Sequence, residues 1–187
     1  MSPSPLATNV VITDTQRWLE RAVIGLNLCP FAKAEHVHGR IRYVVSSAES
    51  EDALLEDLRR EAVYLQEADP AHCETTLLMH PRVLTEFLYY NAFLDRADAL
   101  LQELELDGVL QIASFHPQNQ FADAQTDDIT NYSNRAPYPT LHLLREASVE
   151  RAVNTFPDAA DIYERNMETL RRIGLEGWRG LMGASAE

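Results

Sequence analysis

Positive charge is what this sequence has least of for its size. Its 16 Lys and Arg stand against 29 Asp and Glu, a formal net charge of −13. General affinity for nucleic acid or for an anionic membrane rests on a basic surface, so neither is an expected partner. Cysteine is scarce as well: Cys29 and Cys73 sit in unlike contexts and make no CxxC pair, so nothing resembles a secreted disulfide framework. No apolar run approaches the ~20 residues needed to span a bilayer. The opening MSPSPLATNVVITD lacks a basic n-region and an apolar core of signal-peptide length, so a cytoplasmic location is expected. The phosphate-cradling patterns GxGxxG and GxxxxGKS/T are absent, as is the metal-binding HExxH.

What is present is ordinary for a folded domain: 187 residues, 45% hydrophobic and 24% charged. Such a chain can bury about two-thirds of its unfolded surface. The expected organisation is a flexible tail over 1–12, a single α/β domain over 13–182 and a frayed end over 183–187. Thr13 and Gln16 read as a capping box before a helix carrying Trp18, Leu19, Ala22, Val23 and Leu26, which Pro30 ends. Gly39 to Ser46 reads as a strand. Ser50 caps a helix whose buried stripe is Leu54, Leu55, Leu58, Ala62 and Leu65. Thr75 to Met79 is an apolar strand ending at His80-Pro81. A second long helix carries Phe87, Tyr90, Leu94, Ala97, Leu101 and Leu104, with Gly108 at its C-terminal turn. Val109 to Phe115 is the next strand, ending at His116-Pro117.

Strand, helix, strand, helix, strand suggests crossovers between parallel strands, hence a small, mostly parallel sheet flanked by helices. A ferredoxin-like two-layer α+β arrangement is the alternative. Parallel strands place their C-terminal ends on one edge, where ligands bind in open α/β sheets, so His80 and His116 are expected to share it. The polar loop from Gln118 to Pro139 is longer than the ~12–15 residues usual for a structureless connection, and its rings and prolines favour an ordered, functional segment. Leu141 to Arg145 follows as a fourth strand, in preference to a helix running on to Thr155. Asp158 starts a last helix, which Gly174 ends.

The segments LNLCPFA, ASFHP and NRAPYPTLHLLREASV, together with the first His-Pro, resemble an uncharacterised bacterial family, domain of unknown function 1415. The resemblance runs from about Thr15 to about Gly177. The family pattern usually has Ser where this chain has Ala136, so that hydroxyl is not required here. The resemblance implies a bacterial single-domain protein and carries no activity, cofactor or site with it.

Three constellations could carry chemistry. Cys29 with His116 or His142 could form a thiol–imidazole pair, oriented by Asn134 or Glu146. Against it, a helix C-terminus disfavours a nearby thiolate, and buried cysteine is commonly plain packing. A metal reading through His80, His116 and His142 with Asp123, Asp127 or Glu146 has no ligand spacing behind it and is not adopted. Arg135 and Arg145, near Asn134 and Tyr138, could grip a carboxylate or phosphate. The plainer reading is that Arg135 pins the long loop through its carbonyls. Strand alternation also sets His142 and Arg145 on opposite faces, so they cannot share a pocket without a bulge.

The expected site is therefore at the strand C-terminal edge under the 118–139 loop. Cys29 and His116 are the catalytic candidates, and His80, Asn134, Arg135, Tyr138 and Arg145 the ligand-binding ones. The expected partner is a small acidic ligand, bound by an enzyme or a binding protein. The alternative is a non-catalytic interaction protein that docks through the 118–139 loop. No motif decides between catalysis and binding, and none names a cofactor or an oligomeric state.

Overall fold

Four strands build one sheet in the order β1-β2-β4-β3: β1 is Ile41–Val45, β2 Thr75–Met79, β3 Leu110–Phe115 and β4 Thr140–Arg145. They belong to a computed structural model that describes residues 7–155 and 161–183. β1 pairs with β2 in parallel, whereas β4 runs antiparallel to both β2 and β3. Helices flank this sheet, as an α/β chain requires, but it is mixed rather than mostly parallel. The reason lies in the connections. Helices carry the chain back between β1, β2 and β3, so these share a direction, while β3 reaches β4 through a segment with no α-helix and β4 returns the opposite way.

Alternation along β4 then sorts the layers. Leu141 and Leu143 turn to one face and His142 and Leu144 to the other. The first face is covered by α3 (Glu51–Glu67) and α4 (Phe87–Glu103). Leu54, Leu58, Ala62 and Leu65 of α3 meet Tyr90, Phe93, Ala97 and Leu101 of α4 over Leu78, Leu141 and Leu143. Ser50 caps α3 as expected, its Oγ accepting from the Ala53 N–H at 3.2 Å.

The second face carries α1 (Thr8–Trp18), which passes directly into a π-helix over Leu19–Ile24. Val11 packs on Leu77 and Met79, while Trp18, Leu19, Ala22 and Val23 join Leu170 and Trp178 of α6 (Ile162–Met182). α1 starts at Thr8, upstream of the expected capping position, and the Thr13 hydroxyl donates to the Asn9 carbonyl at 2.8 Å inside the helix. Residues 1–6 and 184–187 of the expected tails, and the expected helix start at Asp158, lie outside the described residues. At Gly174 the backbone leaves helical geometry, with φ 62° and ψ −177°, so the expected end holds: one helix stops there and a second continues α6 beyond the kink. Two further helices, α2 (Ala32–Val37) and α5 (Glu146–Thr155), complete this side. Among the described residues, no helix is long and apolar enough to cross a membrane.

The π-helix depends on one glycine. The Gly25 N–H reaches the Glu20 carbonyl at 3.0 Å, the wide turn that defines this geometry. That turn leaves the Arg21 carbonyl where a Cβ on residue 25 would run into it, so only glycine fits.

At the opposite end of the sheet Tyr90 closes the β3–β4 ladder. Its hydroxyl donates to the Thr140 carbonyl at 2.7 Å and accepts from the Phe115 N–H at 3.1 Å. Phe115 and Thr140 are the terminal pair of that ladder. Tyr90→Phe keeps the ring and leaves both groups unsatisfied, so it is expected to lower stability by about 1–3 kcal/mol in urea unfolding. A smaller change would mean that water replaces the hydroxyl.

Candidate functional site

The two His-Pro corners meet at the strand edge that their sequence positions imply. His80 follows β2, His116 follows β3, and their rings flank Tyr90 with centroids 5.7 and 5.0 Å from it. Both imidazoles are fully buried. His80 donates from Nδ1 to the Val83 carbonyl at 2.9 Å, and its Nε2 is sealed without a partner. His116 donates from Nε2 to the Leu84 carbonyl at 3.1 Å and accepts at Nδ1 from the Gln118 N–H at 3.0 Å. These contacts hold the segment after β2 against the start of the long loop, and both nitrogens of His116 are engaged.

The loop candidates are likewise bonded to main chain or to α1. Arg135 donates to the carbonyls of Asn119 at 3.0 Å and Thr126 at 2.7 Å, with its guanidinium over the Tyr132 ring. Asn134 donates to the Ser114 carbonyl at 3.2 Å, and the Tyr138 hydroxyl donates to Asp14 at 2.8 Å. Burial, reinforced by that carboxylate, pushes the Tyr138 hydroxyl up to about 12.

A cavity of about 590 Å³ opens instead on the second face of the sheet, near the N-terminal ends of β1 and β2. Its floor is Leu77 of β2, Ala113 and Phe115 of β3, and His142 and Leu144 of β4. Trp18, Leu19, Val23 and Cys29 wall one side, and Val149, Ala152 and Val153 of α5 wall the other. The wide π-helical turn supplies part of this wall, a placement in which such turns recur at functional sites. Ala113 lies directly opposite His142 in the ladder, and its small side chain leaves room above the imidazole.

His142, half-buried on this floor, is the ionisable group at its centre. Its Nε2 lies 2.7 Å from the Thr75 hydroxyl oxygen, which lies 2.6 Å from the Leu143 carbonyl. Its ring also tilts against Phe115 at 5.9 Å. Burial pushes the His142 imidazole down to about 4, so it is neutral near pH 7.

The polar groups of the cavity gather at two places. Glu35 and Arg40 pair at 2.8 Å near β1. At the end of β4, Glu74 lies 4.0 Å from Arg145 and 3.9 Å from Arg151, and accepts from Ser148. Arg145 and His142 line the same cavity after all, without a bulge. Arg145 is the last strand residue, and its guanidinium reaches round to the carbonyls of Ala68 at 2.8 Å and Cys73 at 3.0 Å.

Of the sequence candidates, Cys29 and Arg145 thus line this cavity together with His142, while His116 does not. His80 and His116 flank Tyr90, and Asn134, Arg135 and Tyr138 organise the loop. Among the described residues, no three His, Cys, Asp or Glu side chains are grouped to hold a metal. Sequence reasoning missed Thr75, Glu74, Arg151 and the floor residue Ala113. Only the β2–β4 register brings Thr75 within reach of His142, and a register between distant strands leaves no local mark.

Three histidines with pKa values lowered by burial predict a pH response. His80 and His142 are pushed to about 4 and His116 is lowered. The unfolded chain therefore binds more protons than the folded one between the ordinary histidine value near ~6.5 and about 4. Stability is fully present above that window and is lost as the pH falls through it, with a slope of up to about 1.4 kcal/mol per pH unit for each histidine. Urea midpoints measured from pH 7 to 5 should fall, and His80→Asn, which keeps a donor for Val83, should flatten the slope. An unchanged slope in that variant would assign the effect to other groups.

No curated protein and no solved structure matches this chain. Residues 10–180, which include every wall of the cavity, match the family described as Protein of unknown function (DUF1415), and the chain belongs to that family.

Proposed function

We propose that the protein binds a small molecule with an apolar body and an acidic group in the cavity between the sheet, the π-helix and α5. The observation that carries this reading is the cavity itself, about 590 Å³ with mostly apolar walls and polar groups gathered at two places. Small-molecule sites have volumes of roughly 300–1,000 Å³ and a few convergent polar groups. The acidic group follows from charge. Arg145 and Arg151 share the single carboxylate of Glu74, while Glu35 and Arg40 balance each other. One guanidinium charge is therefore in excess, and Arg151 has 69% of its side chain exposed, so it can turn towards a carboxylate or phosphate.

The state of the side chains under the 118–139 loop supports this placement over that one. His116, Asn134 and Arg135 are bonded to backbone groups there. A docking role for the loop would call for Phe121, Tyr132 and Tyr138 as an exposed patch. Phe121 instead packs on Tyr163, Tyr132 on Trp178, and Tyr138 bonds Asp14. The cavity also presents a thiol and an imidazole to one ligand, which favours Cys29 with His142 as the nucleophile–base pair over Cys29 with His116.

Titration with hexanoate and hexanamide, followed by amide chemical shifts, tests the reading. Hexanoate should shift residues around Leu77, Ala113 and Val149, and should slow iodoacetamide alkylation of Cys29. Ala113→Leu fills the space opposite His142 and should weaken hexanoate by at least about tenfold with the fold retained. Arg151→Gln should abolish the preference for hexanoate over its amide. If hexanoate moves no resonance in the cavity, this is not a ligand site. Equal binding of the amide by the unaltered protein would remove the acidic group from the reading.

A further inference from the structure

We infer that the molecule bound in this cavity carries a hydroxyl group, which donates a hydrogen bond to Nδ1 of His142. The inference rests on the cavity being a ligand site and goes on to name what its floor recognises.

The Thr75 oxygen makes two contacts, 2.6 Å to the Leu143 carbonyl and 2.7 Å to Nε2 of His142. A threonine hydroxyl has one proton to give. The carbonyl can only accept, so the contact with Leu143 is a hydrogen bond only if Thr75 donates there. The Thr75 oxygen is then an acceptor towards His142, and Nε2 must carry the ring proton. In a neutral imidazole this leaves Nδ1 unprotonated, a lone pair rather than a donor. Nδ1 has no hydrogen bond to any described group, and it is not among the polar atoms sealed from solvent.

The surroundings make that lone pair selective. The strand residues beside His142 are Leu77 and Ala113, neither of which has a side-chain donor, and Phe115 lies against the ring. An acceptor in apolar walls loses its water when the cavity fills, and it then disfavours any occupant that brings no donor. The contact with Thr75 does not depend on the state of Nδ1, since an imidazolium also donates from Nε2 to Thr75.

The test uses the whole protein labelled with ¹⁵N in its histidines, with phenol, anisole and hexanoate as probes. His142, assigned from the resonances missing in His142→Asn, should show a protonated Nε2 and a bare Nδ1 at pH 7. Phenol should bind about fivefold more tightly than anisole, in line with one added hydrogen bond, and should shift the Nδ1 resonance. Thr75→Val removes the acceptor that fixes the tautomer and should reduce the preference for phenol to within about twofold, while Thr75→Ser should retain it. A protonated Nδ1 in the free protein overturns the inference. Equal affinity for phenol and anisole, or binding of hexanoate without phenol, overturns it and leaves the cavity reading standing. If none of the three probes binds, both fall together.

Discussion

Two leucines decide where the imidazole at residue 142 goes. Leu141 and Leu143 are wholly buried between the sheet and its helices α3 and α4. A strand turns alternate side chains to opposite faces, so burying this pair turns His142 away from the principal core. The second face cannot seal over it in the same way. β4 lies in the interior of the sheet, beside β2 and β3, and its neighbour Ala113 is too small to fill the space above the ring. The cavity is thus a consequence of the packing on the other side of the sheet.

The two ends of the sheet use their polar residues differently. At the edge where β2 and β3 finish, His80 stacks on Tyr90, His116 tilts against it, and all three bond to the backbone. There both imidazoles are fully buried and hold the corner through backbone hydrogen bonds. At the far end, β4 runs into α5 with no connecting residue, and that helix has no buried side chain among those described. Glu74, Arg145, Ser148 and Arg151 there face a space instead of a core. The same residue types are structural at one end and available at the other because burial differs.

Much of the fold was legible. The stripes of α3 and α4, the Ser50 cap and the run TTLLM carry local periodic signals, and each became the element its pattern implies. The strand over 141–145 was likewise readable from its prolines and its alternation. The strand order was not. Whether β4 adds at an edge or inserts between β2 and β3 depends on pairing energies between segments far apart in the chain. The start of α1 was also hidden, because Thr13 looks like a cap and in fact bonds back to Asn9 within a helix already under way.

The sequence by itself determined the class of the chain, its acidic surface, its helical stripes and the facing of residues along each strand, since all of these follow from composition and local period. It also marked Cys29, His142 and Arg145 as chemically able. The tertiary structure alone decided that these three border one cavity, that His80 and His116 are closed into a corner, and that Arg135 secures a loop. The physical reason is that an imidazole or guanidinium acts according to which partners desolvate and bond it, and those partners come from distant strands through a register that no local pattern encodes.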